Sequence, residues 1–130
     1  MRKTGILALL LALCMLLSAC GAKTQLERTA EYLKTAVPEP GFGSLNGDWI
    51  VFGLARAGAD LSENYFERYY NAVEAAVQAA DGMLDENRYT EYSRLILALT
   101  AIGRDPRSVG GYDLLLPLAD LEKTTAQGVN

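Results

Sequence analysis

Two short apolar segments recur along the chain at a spacing of 45 residues. The first covers residues 48–60 (DWIVFGLARAGAD) and the second covers residues 93–105 (SRLILALTAIGRD). In this alignment identical residues meet at three positions: Leu54 with Leu99, Gly58 with Gly103, and Asp60 with Asp105. Before them, hydrophobic residues match hydrophobic residues, since residues 50–52 meet residues 95–97. A period of roughly 20 to 50 residues is typical of repeat architectures, so the pattern predicts a repeated apolar helix that stops at a glycine.

The segments around these two also have helical periodicity. Apolar residues at helical spacing predict an amphipathic helix at 26–37, and the tyrosines at 65, 69 and 70 belong to an apolar stripe that predicts another at 62–80. We expect buried helices at 48–58 and 90–102 and a short outer helix at 114–121, with Asp48 and Ser62 as N-caps. The pattern therefore predicts an all-α fold of αα-hairpins with a period of about 45.

The N-terminus reads as a secretory leader. Arg2 and Lys3 precede a continuous apolar run at residues 6–17, and Leu17-Ser18-Ala19-Cys20 follows. This tetrapeptide resembles the lipobox of bacterial lipoproteins, and the resemblance implies a lipid-modified Cys20 and an extracytoplasmic chain held at a membrane. On this interpretation the chain consists of a signal peptide at 1–19, a lipidated tether at 20–25 and a helical domain at 26–130. In the alternative, the leader is an ordinary secretory signal and Cys20 is incidental.

Composition excludes several kinds of function. The chain has 12 Lys and Arg against 16 Asp and Glu, and without Arg2 and Lys3 the balance is 10 against 16. An acidic chain with no basic stripe argues against nucleic acid as a partner. There is no histidine anywhere, which excludes a His-centred triad and most zinc sites. We therefore predict no metal and no cofactor.

Most of residues 26–130 resembles the prenyltransferase and squalene-cyclase-like α/α toroid. The residues that carry the likeness are 47–60 and 92–118, above all AIGRDPRSVGGYDLLLPLADL. Within this family the chain most resembles the bacterial surface branch, which is similar to the helical domain of transcobalamin and intrinsic factor. The resemblance implies inner and outer helices that alternate around a ring. This chain carries two and a half such units, so we expect the N-terminal part of a longer toroid or a shortened product.

The catalytic equipment of that family is absent from the sequence. There is no Asp-x-Asp-Asp run, and the Asp, Cys and His zinc ligands of the prenyltransferases have no counterpart. We therefore expect a non-catalytic lipoprotein that binds a small molecule, such as a cobalamin-like cofactor or a hydrophobic nutrient. The alternative is a structural or adhesion module without a pocket, and a terpenoid-type enzyme is the weakest interpretation.

The candidate ligand-facing residues stand where the two buried helices begin. If the helices run parallel, their N-terminal ends share one mouth, and we expect a rim that consists of Asp48, Trp49, Tyr89, Tyr92 and Arg94. Positive helix ends at that mouth would favour an anion or a polar ligand edge. The alternative is structural: Asp48 caps its helix, Trp49 fills core and Arg94 is solvated.

Overall fold

The computed structural model describes residues 23–61 and 64–122, and this part of the chain is helical. The elements in chain order are α1 (Gln25–Ala36), a π-helical turn (Ser44–Asp48), α2 (Trp49–Arg56), α3 (Tyr65–Ala79), α4 (Thr90–Ala101) and α5 (Leu116–Ala119). Within the described residues there is no strand, only an isolated bridge between Val109 and Tyr112. The prediction of an all-α fold is confirmed for these ranges. The predicted signal peptide, Cys20 and Ser62 lie outside them.

The two apolar segments lie together in one core. Helix α2 packs on α4, and α3 contributes a stripe of residues four apart to the same core. The buried residues of α2, α3 and α4 that share this core are Val51, Leu54, Tyr65, Tyr69, Val73, Val77, Tyr92, Leu95, Ala98 and Leu99. Burial of a Val or Leu side chain contributes about 1.5–3 kcal/mol, so this contact holds the domain together. None of the helices in the described ranges is long and apolar enough to cross a bilayer.

Helices α2 and α4 end in the same way, at positions 45 residues apart. Gly58 has φ 61° and Gly103 has φ 76°, values that favour glycine. After Gly58, the Ala59 amide donates to the Leu54 carbonyl at 3.1 Å. After Gly103, the Arg104 amide donates to the Leu99 carbonyl at 2.9 Å. The prediction that a glycine terminates each apolar helix is confirmed.

Three details differ from the sequence prediction. Helices α2 and α4 are not enclosed on all sides, since Trp49 is 50% exposed and Leu97 is 46% exposed. Of the helix predicted at 114–121, residues Leu116–Ala119 form a single turn, because Leu114 is buried in the core before α5 begins. Helix α1 begins with a capping box in which Thr24 and Glu27 bond each other's backbone amides. The Thr-x-x-Glu spacing is its sequence signature.

Alanine substitutions at two glycines should have opposite effects on stability. A Cβ at Gly103 meets no atom within 4 Å but is forced to positive φ, so Gly103→Ala should destabilise by about 1–2 kcal/mol. A Cβ at Gly53, inside α2, also meets no atom within 4 Å. Gly53→Ala should therefore stabilise by about 0.5–1 kcal/mol, because alanine is the better helix former. Urea unfolding measures both, and shifts of the same sign would refute the assignment of the helix end.

Candidate functional site

Asp48 is a fully buried carboxylate at the junction of three helices. It immediately precedes α2, and its Oδ1 accepts a hydrogen bond from the Tyr69 hydroxyl of α3 at 2.7 Å. Its Oδ2 accepts from Nε of Arg94 on α4 at 2.7 Å. A buried charge is tolerated only when it is paired and hydrogen-bonded, and these contacts satisfy both oxygens. The pair joins the N-terminal ends of α2 and α4.

Asp48 also closes the loop that precedes it. Its backbone amide donates to the Gly43 carbonyl at 3.0 Å, and the Gly43 amide donates back to the Asp48 carboxylate at 3.3 Å. The loop closes tightly at Gly47, where an added Cβ would lie 1.5 Å from the Gly41 carbonyl oxygen. Only glycine fits there. The sequence Gly47-Asp48 thus fixes the π-helical turn to the core.

An alternating series of charges runs from this junction to the surface. Arg94 also donates to Glu91 at 2.5 Å, one turn back along α4. Glu91 lies 3.8 Å from Arg88, and Arg88 pairs with Asp85 at 2.8 Å. Exposure is greatest at Arg88, whose side chain is 67% exposed, whereas that of Arg94 is 8% exposed and that of Asp85 is 19% exposed. Asp48 and Arg94 are therefore shielded from water, and Arg88 is solvated.

These contacts shift the ionisation of the groups at the junction. Burial raises the pKa of the Tyr69 hydroxyl far above its ordinary value, and the neighbouring Asp48 charge raises it further. The hydrogen bond to Glu91 raises the pKa of Arg94, with Asp48 adding to the effect. In turn, the hydrogen bond from Arg94 lowers the pKa of Glu91. Tyr69 is thus held neutral, whereas Arg94 and Glu91 are held charged, so the junction is a fixed set of bonds.

The structural alternative for Asp48, Trp49 and Arg94 is wrong in each part. Asp48 has helical backbone angles (φ −53°, ψ −49°) and makes no side-chain capping bond. Arg94 is buried, at 7% exposure, and Trp49 is half exposed. The ligand-facing rim needs a correction as well, since the same burial keeps Asp48 and Arg94 away from any ligand at the surface. They bond to each other inside the core, where they join α2 to α4.

The N-terminal end of α2 and the turn before it carry the exposed Trp49 and Leu45 and the partly buried Phe52, and these three side chains are here called the Trp49 surface. The rings of Trp49 and Phe52 meet edge to face with centroids 6.2 Å apart, and Leu45 is 86% exposed on the π-helical turn. Between residues 41 and 55 the only charged residue is Asp48, which is buried. The Trp49 surface therefore offers aromatic and aliphatic contact area, and residues 41–55 place no exposed charge on it.

Tyr89 and Tyr92 line a different feature, here called the tyrosine groove. Their ring centroids are 6.3 Å apart, and the groove encloses about 230 Å³. The other residues that line it are Met83, Asp85, Leu116, Pro117 and Asp120. The Tyr92 hydroxyl is fixed, because it accepts from the Leu84 amide at 2.8 Å. Trp49 is not among the lining residues, so the rim predicted from sequence divides into two separate features.

A second open groove, of about 330 Å³, lies between α1 and residues 57–60. The Lys34 ammonium spans it and donates to the Asp60 carbonyl at 2.8 Å. Its charges are mixed, since Lys23 pairs with Glu31 along the same wall. In the described ranges no three His, Cys, Asp or Glu side chains gather in a way that could hold a metal ion.

Several residues that form these features are not identifiable from the sequence pattern. Tyr69 reads as one member of an apolar stripe, and nothing in its spacing shows that its hydroxyl reaches Asp48. The Asp48–Arg94 pair joins residues 46 apart and becomes visible only once the helices pack. Glu91 could have been found, because an acid three residues before an arginine on a helix is a recognisable ion-pair spacing.

Comparison with known proteins adds no relative: no family model matches the chain, and neither a curated protein nor a solved structure matches it. The resemblance to the α/α toroid therefore stays a prediction from sequence.

Proposed function

We propose that this chain is a lipid-anchored extracytoplasmic protein whose helical domain binds a small molecule without catalysis. In this proposal the acylated Cys20 holds the domain at a bacterial membrane, and the helices form part of an α/α toroid. The ligand contacts the Trp49 surface, where the two inner helices begin. The lipobox-like Leu17-Ser18-Ala19-Cys20 supports the anchor. The all-helical core shared by α2 and α4 supports the toroid.

One observation supports the Trp49 surface as the place where the ligand binds. Trp49 is half exposed although the residue before it is fully buried, and the turn that presents it is fixed by the bonds of Asp48. Tryptophan offers a large rigid contact area at low entropic cost, which is why it is enriched where proteins bind ligands and partners. A surface held rigidly before the ligand arrives binds more tightly, since little ordering remains to be paid for on association.

The position of α1 leaves this surface accessible in the proposed anchored state. Helix α1 follows the tether directly and packs beside residues 57–60, at the C-terminal end of α2. Trp49 lies at the N-terminal end of α2, about 10 Å away along the helix axis. Helix α1 also contacts α2 itself, and Trp49 is half exposed in the presence of that contact.

A second candidate function is contact with another protein or with a glycan. The protruding Leu45, at 86% exposure, favours it, because a side chain that far into solvent contacts a broad partner more readily than a small ligand. Both candidate functions use the Trp49 surface. They differ in the size of the partner, which is a small ligand in the first and a protein or a glycan in the second.

The anchor is tested by replacing each cysteine. Cys20→Ala should release the protein from membranes, because no acyl chains are attached, while Cys14→Ala should leave it membrane-bound, since Cys14 belongs to the predicted leader. Membrane fractionation and mass spectrometry of the N-terminal peptide measure the outcome. Unmodified Cys20 in the wild-type protein would refute the lipoprotein assignment.

The binding surface is tested by thermal unfolding against cyanocobalamin, fatty acids and other hydrophobic nutrients. A ligand at one hundred times its dissociation constant should stabilise the protein by about 2.7 kcal/mol. The shift should persist in Leu97→Ala, which truncates another exposed apolar residue of the inner helices, and be lost in Trp49→Ala. Trp49 is the only tryptophan, so its fluorescence reports on the same contact. A ligand that stabilises Trp49→Ala as strongly as the wild type would contradict the proposal, as would a screen in which no compound shifts the transition.

A further inference from the structure

The internal repeat identifies the side of α2 that packs against α4. Residues 45 apart in the two helices hold equivalent positions, so the burial of each pair can be compared. Asp48, Val51 and Phe52 lie on one side of the first helical segment, because they are three and four residues apart. Asp48 bonds to Arg94 of α4, so this side of the segment packs against α4.

The equivalent side of α4 is more exposed. In α2, Val51 is fully buried and Phe52 is partly buried. At the equivalent positions of α4, Ile96 is only partly buried and Leu97 is 46% exposed, and Thr100 on the same side is exposed as well. This side of α4, here called the Leu97 face, consists of Ser93, Ile96, Leu97 and Thr100. Its place in the repeat makes it a helix-packing surface that the described part of the chain leaves partly uncovered.

The Leu97 face carries no charge, although the protein is acidic. Residues 95–103 contain no Asp, Glu, Lys or Arg, and Arg94 before them is buried. The chain as a whole has a formal net charge of −4. Copies of an acidic protein repel one another where their charged surfaces meet, so two of them approach more easily across an uncharged face. The charge distribution therefore permits contact between two copies at the Leu97 face.

The sizes of its side chains make the Leu97 face complementary to itself. Leu97 is a large apolar residue, and Thr100, nearly one turn later on the same side of α4, is smaller. In an antiparallel pair of α4 helices whose two-fold axis passes between these two positions, Leu97 of each copy lies against Thr100 of the other. Large side chains then fill the spaces beside small ones, which is how packed helices interlock.

We propose that two copies of this chain form a symmetric dimer through their Leu97 faces. In this dimer α4 packs on α4 with the side that is equivalent to the side of α2 that packs on α4 within one chain. A single helix from each copy buries less area than the roughly 800 Å² per partner of a standard interface, so the dimer is weak and reversible. The contact uses residues outside the Trp49 surface and does not depend on what that surface binds.

Sedimentation velocity of the full chain tests the dimer, because it measures association without any ligand. Between about 1 µM and 1 mM the wild type should pass from monomer to dimer, the range expected of a weak interface. Leu97→Glu should weaken the dimer by at least about tenfold, because it brings two like charges to the two-fold axis. Trp49→Glu is the matched control, since Trp49 is exposed to a similar extent, and it should leave the dissociation constant within about twofold of wild type.

A mixture of two variants controls for folding. Leu97→Glu and Leu97→Lys should each be monomeric alone, whereas an equimolar mixture should form dimers again, because opposite charges then meet at the axis and only folded variants can pair in this way. A wild type that is monomeric throughout the concentration range would overturn the proposal, as would a mixture that stays monomeric. A dimer that Leu97→Glu leaves unchanged, or that Trp49→Glu weakens equally, would overturn it too. The thermal-shift test of the Trp49 surface measures ligand binding and succeeds or fails independently.

Discussion

The described structure depends on one buried carboxylate. Asp48 receives hydrogen bonds from α3, α4 and its own preceding loop, so a single side chain fixes the relative positions of three segments that are distant in sequence. Removing two charges from water is costly, and a buried ion pair often contributes less stability than apolar residues of the same volume. The role of Asp48 is therefore positional. An apolar replacement could fill the space but could not direct Tyr69, Arg94 and the Gly43 amide to one point.

The same arrangement explains why the surface beside it is apolar. The charges of Asp48 and Arg94 pair with each other inside the core, so neither reaches the surface beside Trp49. Trp49 and Leu45 are exposed there, and Phe52 lies partly buried beside Trp49. In the segment before α4, Arg88 is exposed, and the tyrosine groove lies beside Asp85. The Trp49 surface is thus uncharged, whereas the tyrosine groove is flanked by carboxylates.

Local patterns in the sequence were sufficient to predict much of the fold. Helical periodicity gave the four longer helices, and Gly58 and Gly103 marked two of their ends, because positive φ is a local requirement that one residue type meets best. The helix predicted at 114–121 begins later, at Leu116, since burial of Leu114 is a tertiary effect. The site was harder to predict. Asp48 before an apolar helix has the signature of a cap, and only the approach of Arg94, from 46 residues away, makes it a core residue.

A double-mutant cycle between Asp48 and Arg94 measures directly whether their junction holds the helices together. Asp48→Asn and Arg94→Met should each cost about 3–5 kcal/mol, because each leaves a buried group without its partner. The double variant should cost less than the two losses together, with a coupling of roughly 1–3 kcal/mol by urea unfolding. The exposed pair of Arg68 and Glu39 is the control, with an expected coupling of about 0–1 kcal/mol. Additive losses at Asp48 and Arg94 would show that the junction does not hold the helices together and would contradict the account.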